Sequence, residues 1–458
     1  MKRTIVILTL VGALVLACSG MVLAQSAAPG DGVQQAAVEK SAGQAVPGRY
    51  IVVLRDDANS RNVAEEHSRG LGAEVTSIYE HALRGYAAKI PSARLSEVKS
   101  DPRVLFVQPD STAVAFGQTV PTGVNRIDGK SSSTAKIADI DGSNGSDQRV
   151  NANVAVIDTG INITHPDLNV VGGRNFATFF SPSNNYEDGH GHGTHVAGTI
   201  AALDNSNGAV GVAPGAKLYG VKVLSNSGTG YQSWIIKGID WVTGRKAEFN
   251  DGSGDRDPGI DFAVANMSLG GSGTDGSCGS NAYHKAICNS VAAGVTYTVA
   301  AGNSNADFQN FVPATYSEVL TVTAVSDSDG VSGGQGAAPS CRTGEKDDYP
   351  ATFSNYATLA PDQNHTIAAP GVCIYSTWKN GGYNTISGTS MASPHVAGAA
   401  ALYKANHPTA TPAEVMTQLR RDEPSASAWA QSNGFTGDPL NSPIACRYYG
   451  YLTHVDGY

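Results

Sequence analysis

The chain has 458 residues, 41% hydrophobic and 16% charged, an ordinary globular composition far from the disordered class. Its net charge of −9 and pI near 5.6 exclude nucleic acid as a main partner. Fifty-three glycines are too many for an all-helical protein and call for tight turns, close backbone approaches and long loops.

Lys2 and Arg3 precede an apolar run at 4–17, the pattern of an export signal too short to span a bilayer comfortably. Two processing sites compete: a cut after Ala24, giving a free secreted protein, or a lipoprotein-type cut before Cys18, giving a membrane anchor. Export implies an oxidising compartment. Beyond Cys18 there are five cysteines, for which we expect Cys278–Cys288 and Cys341–Cys373, with Cys446 left over; spacing alone does not fix the pairing.

Residues 25–46 read as a linker rich in Ala, Gly, Ser and Gln. Strands at 48–55, 73–80, 85–90 and 104–110, with helices at 60–71 and 93–100, give the order βαββαβ over 47–116. That order suits a small two-layer α+β domain of ferredoxin-like type. Residues 128–150 are rich in Ser, Asp and Gly and read as a surface loop. From 117 to 458, short apolar strands at 153–158, 216–224, 262–268, 295–302 and 319–325 alternate with helical stretches such as 231–244 and 280–294. This predicts an α/β fold, a mostly parallel sheet with helices on both faces and active residues at the carboxyl ends of strands.

Chemistry concentrates in three segments. In SGTSMASPHVAG (387–398), Ser390 and His395 are five residues apart, so on a helix they lie roughly 140° apart and cannot pair. The base must come from elsewhere. DGHGHGTHVAG (188–198) presents His195 behind glycines at 189, 191 and 193, which suits a histidine delivered at a helix start. In VAVIDTG, Asp158 ends an apolar strand, where a carboxylate is costly unless paired. A hydrogen bond to the imidazole N–H satisfies it and fixes the tautomer.

The chain order Asp158, His195, Ser390, together with VIDTG, HGTHVAG and GTSMASPHVAG, resembles the subtilisin-like serine proteases. The segment 48–116 resembles the family's inhibitory propeptide. The resemblance implies an endopeptidase in which Asp158 orients, His195 moves the proton and Ser390 attacks. Asn303 in AAGN then donates to the oxyanion. It further implies that Gly228, Thr229 and Gly230 pair with substrate main chain. Ser268, Leu269, Gly270, Ala301 and Gly302 wall the pocket for the side chain before the cut. GQTVPTGVNRI resembles the mature N-terminus, which places self-processing at Phe116–Gly117 and predicts a preference for large apolar residues before the cut. Structural Ca²⁺ is implied at Gln118, Asp167, Leu203, Asn205, Asn207 and Ala209, an all-oxygen set. Protein and peptide substrates are the expected partners, with the chain's own propeptide as intramolecular inhibitor. The expected state is a monomer, bound to membrane only if Cys18 is lipidated.

Three other readings compete. HGHGTH nearly spells the HxHxDH zinc pattern, which makes His190, His192 and His195 candidate ligands, but Thr194 stands where that pattern needs an acid. An α/β-hydrolase needs GxSxG and a different order of the three groups. An inactive protease-like binding module is expected to lack one of the three groups, and all are present. The tail 447–458 carries no expectation.

Overall fold

The computed structural model describes residues 45–111, 118–137, 149–179, 181–205, 207–251, 259–420, 432–439 and 443–458. The export signal, Cys18, the linker up to residue 44 and the Phe116–Gly117 junction lie outside the described residues. Contacts divide the chain into two compact units, Met1–Phe116 and Gly117–Tyr458.

The first unit runs β1 (Ala45–Leu54), α1 (Ser60–Leu71), β2 (Glu74–Tyr79), β3 (Gly85–Lys89), α2 (Leu95–Ser100) and β4 (Val104–Ser111). The strands form an antiparallel sheet in the order β2-β3-β1-β4, the expected βαββαβ arrangement. Asn59 caps α1 by accepting the Asn62 N–H at 3.0 Å. Gly72 ends the helix in the left-handed conformation at φ 68°. Val52, Leu54, Val63, Tyr86 and Val98 close the core between helices and sheet.

The second unit continues with α3 (Thr122–Arg126), β5 (Asn153–Asp158), β6 (Val170–Asn175), α4 (His192–Ala201), β7 (Lys217–Lys222), α5 (Gln232–Asp251), β8 (Phe262–Met267) and β9 (Gly271–Ser272). It then runs α6 (Ala282–Ala292), β10 (Thr296–Ala300), β11 (Phe311–Val312), β12 (Leu320–Ser326), β13 (Tyr349–Pro350), α7 (Ala360–Gln363) and β14 (Thr366–Pro370). The last elements are β15 (Ile374–Trp378), β16 (Gly382–Ile386), α8 (Thr389–Asn406), α9 (Pro412–Arg420) and β17 (Tyr451–Leu452). The main sheet has the order β17-β14-β12-β10-β8-β5-β7-β6, parallel throughout, with β13 antiparallel on β12.

Alternation along β5 shows why its strand reads as unbroken apolar sequence. Val154 and Val156 face a core with α4, α8 and α9, whereas Ala155 and Ile157 face a second core with α5 and α6. Cys278–Cys288 and Cys341–Cys373 are bonded. Cys446 is not left over; it is disulfide-bonded too.

One expectation is corrected here, and the tail, which carried none, gains a place. The described ends of 128–150 are not surface loop: Ala135, Ile137 and Val150 are buried in the main core. The tail is structural. β17 extends the sheet beside β14, and the Tyr458 carbonyl oxygen accepts the Ser132 hydroxyl at 2.8 Å and the Thr134 N–H at 3.1 Å.

Candidate active site

Asp158 closes β5 fully buried, and its Oδ1 accepts the N–H of Thr159 at 2.7 Å. The same oxygen lies 2.7 Å from Nδ1 of His192, the first residue of α4. His192 therefore occupies the place expected of His195. His195 sits one turn inside the helix and fully buried, with Nε2 donating to the carbonyls of Ile374 (3.0 Å) and Asn384 (3.2 Å) on the β15–β16 hairpin. Three helical steps carry it about 4.5 Å along the axis and roughly 300° around it. His195 is a tie between α4 and that hairpin.

Electrostatics separates the two rings. Burial disfavours a charged His192, but the Asp158 carboxylate, through charge and hydrogen bond, and the charge of Asp188 outweigh it, so its pKa lies above the ordinary value. Burial drives His195 down to about 3. His395 is buried as well, with Nδ1 on the Met391 carbonyl at 2.9 Å and its pKa lowered to about 4 by burial.

The turn before α4 requires glycine at two positions. Gly191 has φ 109°, and a Cβ there would meet the Trp378 ring at 2.4 Å. A Cβ on Gly193 would come within 2.1 Å of the Gly160 carbonyl oxygen. Asp188 is the buried anchor of this turn. Its carboxylate accepts the N–H groups of His190, Gly191 and Thr194 and the hydroxyls of Thr159 and Thr194 at 2.6–2.9 Å. An acid just ahead of a helix start was the available signal. Lys222, at the end of β7, bonds the Thr159 carbonyl and, at 3.0 Å, Asn226 Oδ1.

Ser390 opens α8, and its hydroxyl donates to the Ser268 carbonyl at 3.2 Å. In return, the Ser268 hydroxyl donates to the Ser390 carbonyl at 2.8 Å. Asn303 Oδ1 accepts the N–H and hydroxyl of Thr389 at 2.8 and 2.9 Å. With that oxygen committed, Nδ2 remains as the donor group of the amide.

Two cavities meet along Ser268–Leu269–Gly270. One, of about 280 Å³, holds Ser390 and Asn303 and is walled by Ala300, Ala301, Gly302, Phe311, Val312 and Ala314. Phe311, Val312 and Ala314 went unnoticed in the sequence because they come from a separate segment brought in by β11. The other, of about 440 Å³, holds His192 and His190 and is walled by Ser227–Gly230, Leu224 and Ile235. His190, His192 and His195 do not converge as a zinc set. The first two rings stand 6.2 Å apart edge to face, and His195 points its Nε2 at backbone carbonyls.

The calcium candidates do gather. Asp167 is buried, and among the described residues its carboxylate meets only neutral donors: Asn205 Nδ2 at 2.8 Å, the Tyr383 hydroxyl at 3.1 Å and the Ala209 N–H at 3.3 Å. Burial raises its pKa to about 7. The NH₂ of Gln118 lies against the carbonyls of Leu203 and Ala209, donating into two oxygens that a cation could share. Only the N–H of Asn207 is seen to take part, bonded to Asn205 Oδ1 at 2.6 Å. A buried carboxylate without a countercharge among the described residues, beside carbonyl and amide oxygens, fits a hard divalent ion.

Residues 150–439 match the subtilase family and residues 49–114 the peptidase inhibitor I9 family. Subtilisin NAT of Bacillus subtilis subsp. natto is 37% identical over 376 residues, covering 81% of this chain and 84% of the relative. An extracellular serine proteinase of Thermus sp. (strain Rt41A) is 34% identical, over 82% of this chain and 85% of the relative. Among solved structures, a cold adapted subtilisin-like serine proteinase aligns with TM-score 0.52 and 31% identity, over 73% of this chain and 98% of that one. With an aspartate–histidine pair at the end of a parallel strand and a serine in the first turn of a helix, the chain belongs to the subtilase family of serine peptidases and carries an I9-type propeptide domain.

Proposed function

We propose that the protein is an exported serine endopeptidase, made as a proenzyme and cut at Phe116–Gly117, with Asp158, His192 and Ser390 as its catalytic groups. One observation carries this: the 2.7 Å bond from His192 Nδ1 to a fully buried Asp158. That bond holds the proton on Nδ1 and leaves Nε2 as the base. In this mechanism the Ser390 hydroxyl exchanges the Ser268 carbonyl for that nitrogen. Ser390 Oγ then attacks the peptide carbonyl while its proton passes to Nε2. The same proton goes to the departing amine, and water hydrolyses the acyl-enzyme. Asn303 Nδ2 and the Ser390 N–H face the developing oxyanion. A lost donor of this kind costs about 2.7–4 kcal/mol, a value from a subtilisin variant.

Substrate main chain runs between Ser227–Gly230 and Ser268–Gly270 as an added strand. The apolar lining by Leu269, Val312, Phe311 and the alanines supports a preference for large apolar residues before the cut. The I9-type unit serves as inhibitor in cis until it is removed. The oxygen set around Asp167 would hold calcium, which supplies the missing countercharge and ties 118, 167 and 203–209 together. Among the described residues no helix is long and apolar enough to cross a membrane. Release into the medium is our reading of the fate of the chain after export.

A fluorophosphonate probe with casein hydrolysis tests the assignment. Wild type labels at Ser390 and cleaves casein; Ser390→Ala does neither; His192→Ala loses both; His195→Gln keeps both. Retention by His192→Ala with loss in a folded His195→Gln overturns it.

A further inference from the structure

Away from the cleft, α6 carries His284 and Cys288 one turn apart, a spacing that sets both side chains on the same face of the helix. Cys278, from the loop ahead of α6, is bonded to Cys288, and Glu318 comes in from the turn before β12. His284 is buried, and its Nε2 lies 2.7 Å from Glu318 Oε2. Glu318 Oε1 in turn lies 3.7 Å from the Cys278 sulfur. One donor atom from each of these four residues falls within 4.8 Å of every other. The remaining imidazole nitrogen is occupied too: Nδ1 is 3.2 Å from the Asp275 carbonyl oxygen and 3.5 Å from an Asp275 carboxylate oxygen. Stacking on Tyr316, with centroids 4.0 Å apart and 4° between the planes, fixes the ring.

A structural disulfide needs neither a histidine nor a glutamate beside it. An imidazole held at Nδ1 by a carbonyl or carboxylate, with Nε2 aimed at an acid and two sulfurs, has the arrangement of a metal-binding histidine. Two thiolates, one imidazole and one carboxylate make a four-ligand set that suits tetrahedral zinc and not the hard, oxygen-seeking calcium or magnesium. We propose that Cys278, His284, Cys288 and Glu318 form a Cys₂HisGlu zinc site that opens when the Cys278–Cys288 bond is reduced. A dithiol gives two electrons and two protons to the bridge and itself closes to a disulfide, leaving Cys278 and Cys288 as thiols. Zinc then sends both thiol protons to solvent. His284 keeps its proton on Nδ1, toward Asp275, and binds through the Nε2 lone pair, while Glu318 binds through a carboxylate oxygen. The Glu318 side chain is 28% exposed, which gives the ion a way in. The segment between β9 and α6 starts at Gly271 and Ser272, which wall the Ser390 cavity. The same two cysteines thus tether that wall to the turn before β12 by a disulfide in an oxidising medium and by zinc in a thiol-rich one.

The test uses the full chain carrying Ser390→Ala, which keeps it whole. The protein is reduced with a dithiol under argon, freed of reductant and titrated with Co²⁺ as the probe of the site. One equivalent of cobalt is expected to raise a thiolate-to-metal charge-transfer band and the intense visible absorption of tetrahedral Co²⁺, and Zn²⁺ to bleach both. The unreduced protein shows neither. Replacing both bridge cysteines, Cys278→Ser with Cys288→Ser, abolishes the spectrum, whereas Cys341→Ser with Cys373→Ser retains it. Glu318→Gln and His284→Gln, made separately, each weaken cobalt binding about tenfold or more. A reduced protein with native circular dichroism and no tetrahedral thiolate spectrum overturns the proposal. So does a spectrum that survives loss of both bridge cysteines, or full cobalt affinity in both the Glu318→Gln and His284→Gln proteins. Loss of native circular dichroism on reduction that zinc does not restore overturns it as well.

Discussion

The first turn of α4 and its interior place two histidines three residues apart in opposite circumstances. His192, at the helix start, keeps 20% of its side chain exposed and pairs with a carboxylate. His195, one turn on, is sealed and bonded to carbonyls. The residue type is the same, yet one ring is held more basic than usual and the other is held neutral. The contrast shows that an imidazole acquires a role from what stands at each nitrogen and from access to solvent.

The largest way to break the comparison is substitution. His192→Ala is expected to lower kcat/KM by about four to six orders of magnitude, the range seen on deleting a member of such a triad. His195→Gln keeps kcat/KM within about tenfold and costs about 1–3 kcal/mol of unfolding free energy for a buried donor left badly matched. Equal kinetic losses in two folded variants would erase the distinction.

Carboxylates repeat the contrast. Asp158 faces an imidazole, whereas Asp167 faces only neutral donors among the described residues and has its folded pKa raised to about 7. A raised folded pKa means that the unfolded chain gives up its proton first. The stability Asp167 contributes is present below its ordinary pKa near 3.8 and is lost as pH rises through about 7. On the proposed calcium reading, a bound ion would offset that loss by pairing the charge. In the Ser390→Ala protein, chelation should therefore lower Tm by a few degrees more at pH 8 than at pH 6. Asp167→Asn should shrink the calcium-induced shift and remove its pH dependence. An unchanged calcium shift in Asp167→Asn would place the ion elsewhere.

On the acid side the sign reverses. His195 and His395 have folded pKa values lowered to about 3 and about 4, so their stability is present above pH 6.5. It is lost as pH falls through those lower values. Urea unfolding of Ser390→Ala should lose free energy steadily from pH 6.5 to pH 4, and His195→Gln should flatten part of that slope. A slope that is the same in both excludes His195 as a source.

The smallest expected effect sharpens the role of His192. Its raised pKa requires that kcat/KM climb with pH through a value above 6.5, because the base must be neutral. A limb at or below 6.5 would mean that Asp158 does not hold the ring.

Much of this was legible along the chain. Asp158 announced itself as an acid ending an apolar strand, Ser390 by a helix start whose nearby histidine points the wrong way, and the sheet by regular alternation of apolar runs with helices. These are local signals, set by residue type and period. Choosing between His192 and His195 was not local. Both follow a glycine-broken turn in HGHGTH, and the choice depended on where α4 begins. Asp188, which takes up the backbone donors of the turn, and Trp378, packed against Gly191 from the distant β15, settle that point.

The amino-acid sequence by itself determined the two-unit plan, the α/β class and the family, and it singled out Asp158 and Ser390 for the proposed acid and nucleophile, because each rests on short-range patterning or on spaced motifs. Only the tertiary structure decided which imidazole meets the acid, which carbonyls surround Asp167, and that His284 and Glu318 stand against the Cys278–Cys288 bridge. The physical reason is common to all three. Hydrogen bonds and packing act over a few ångströms, and the partners are separated by up to about two hundred residues that only folding brings together.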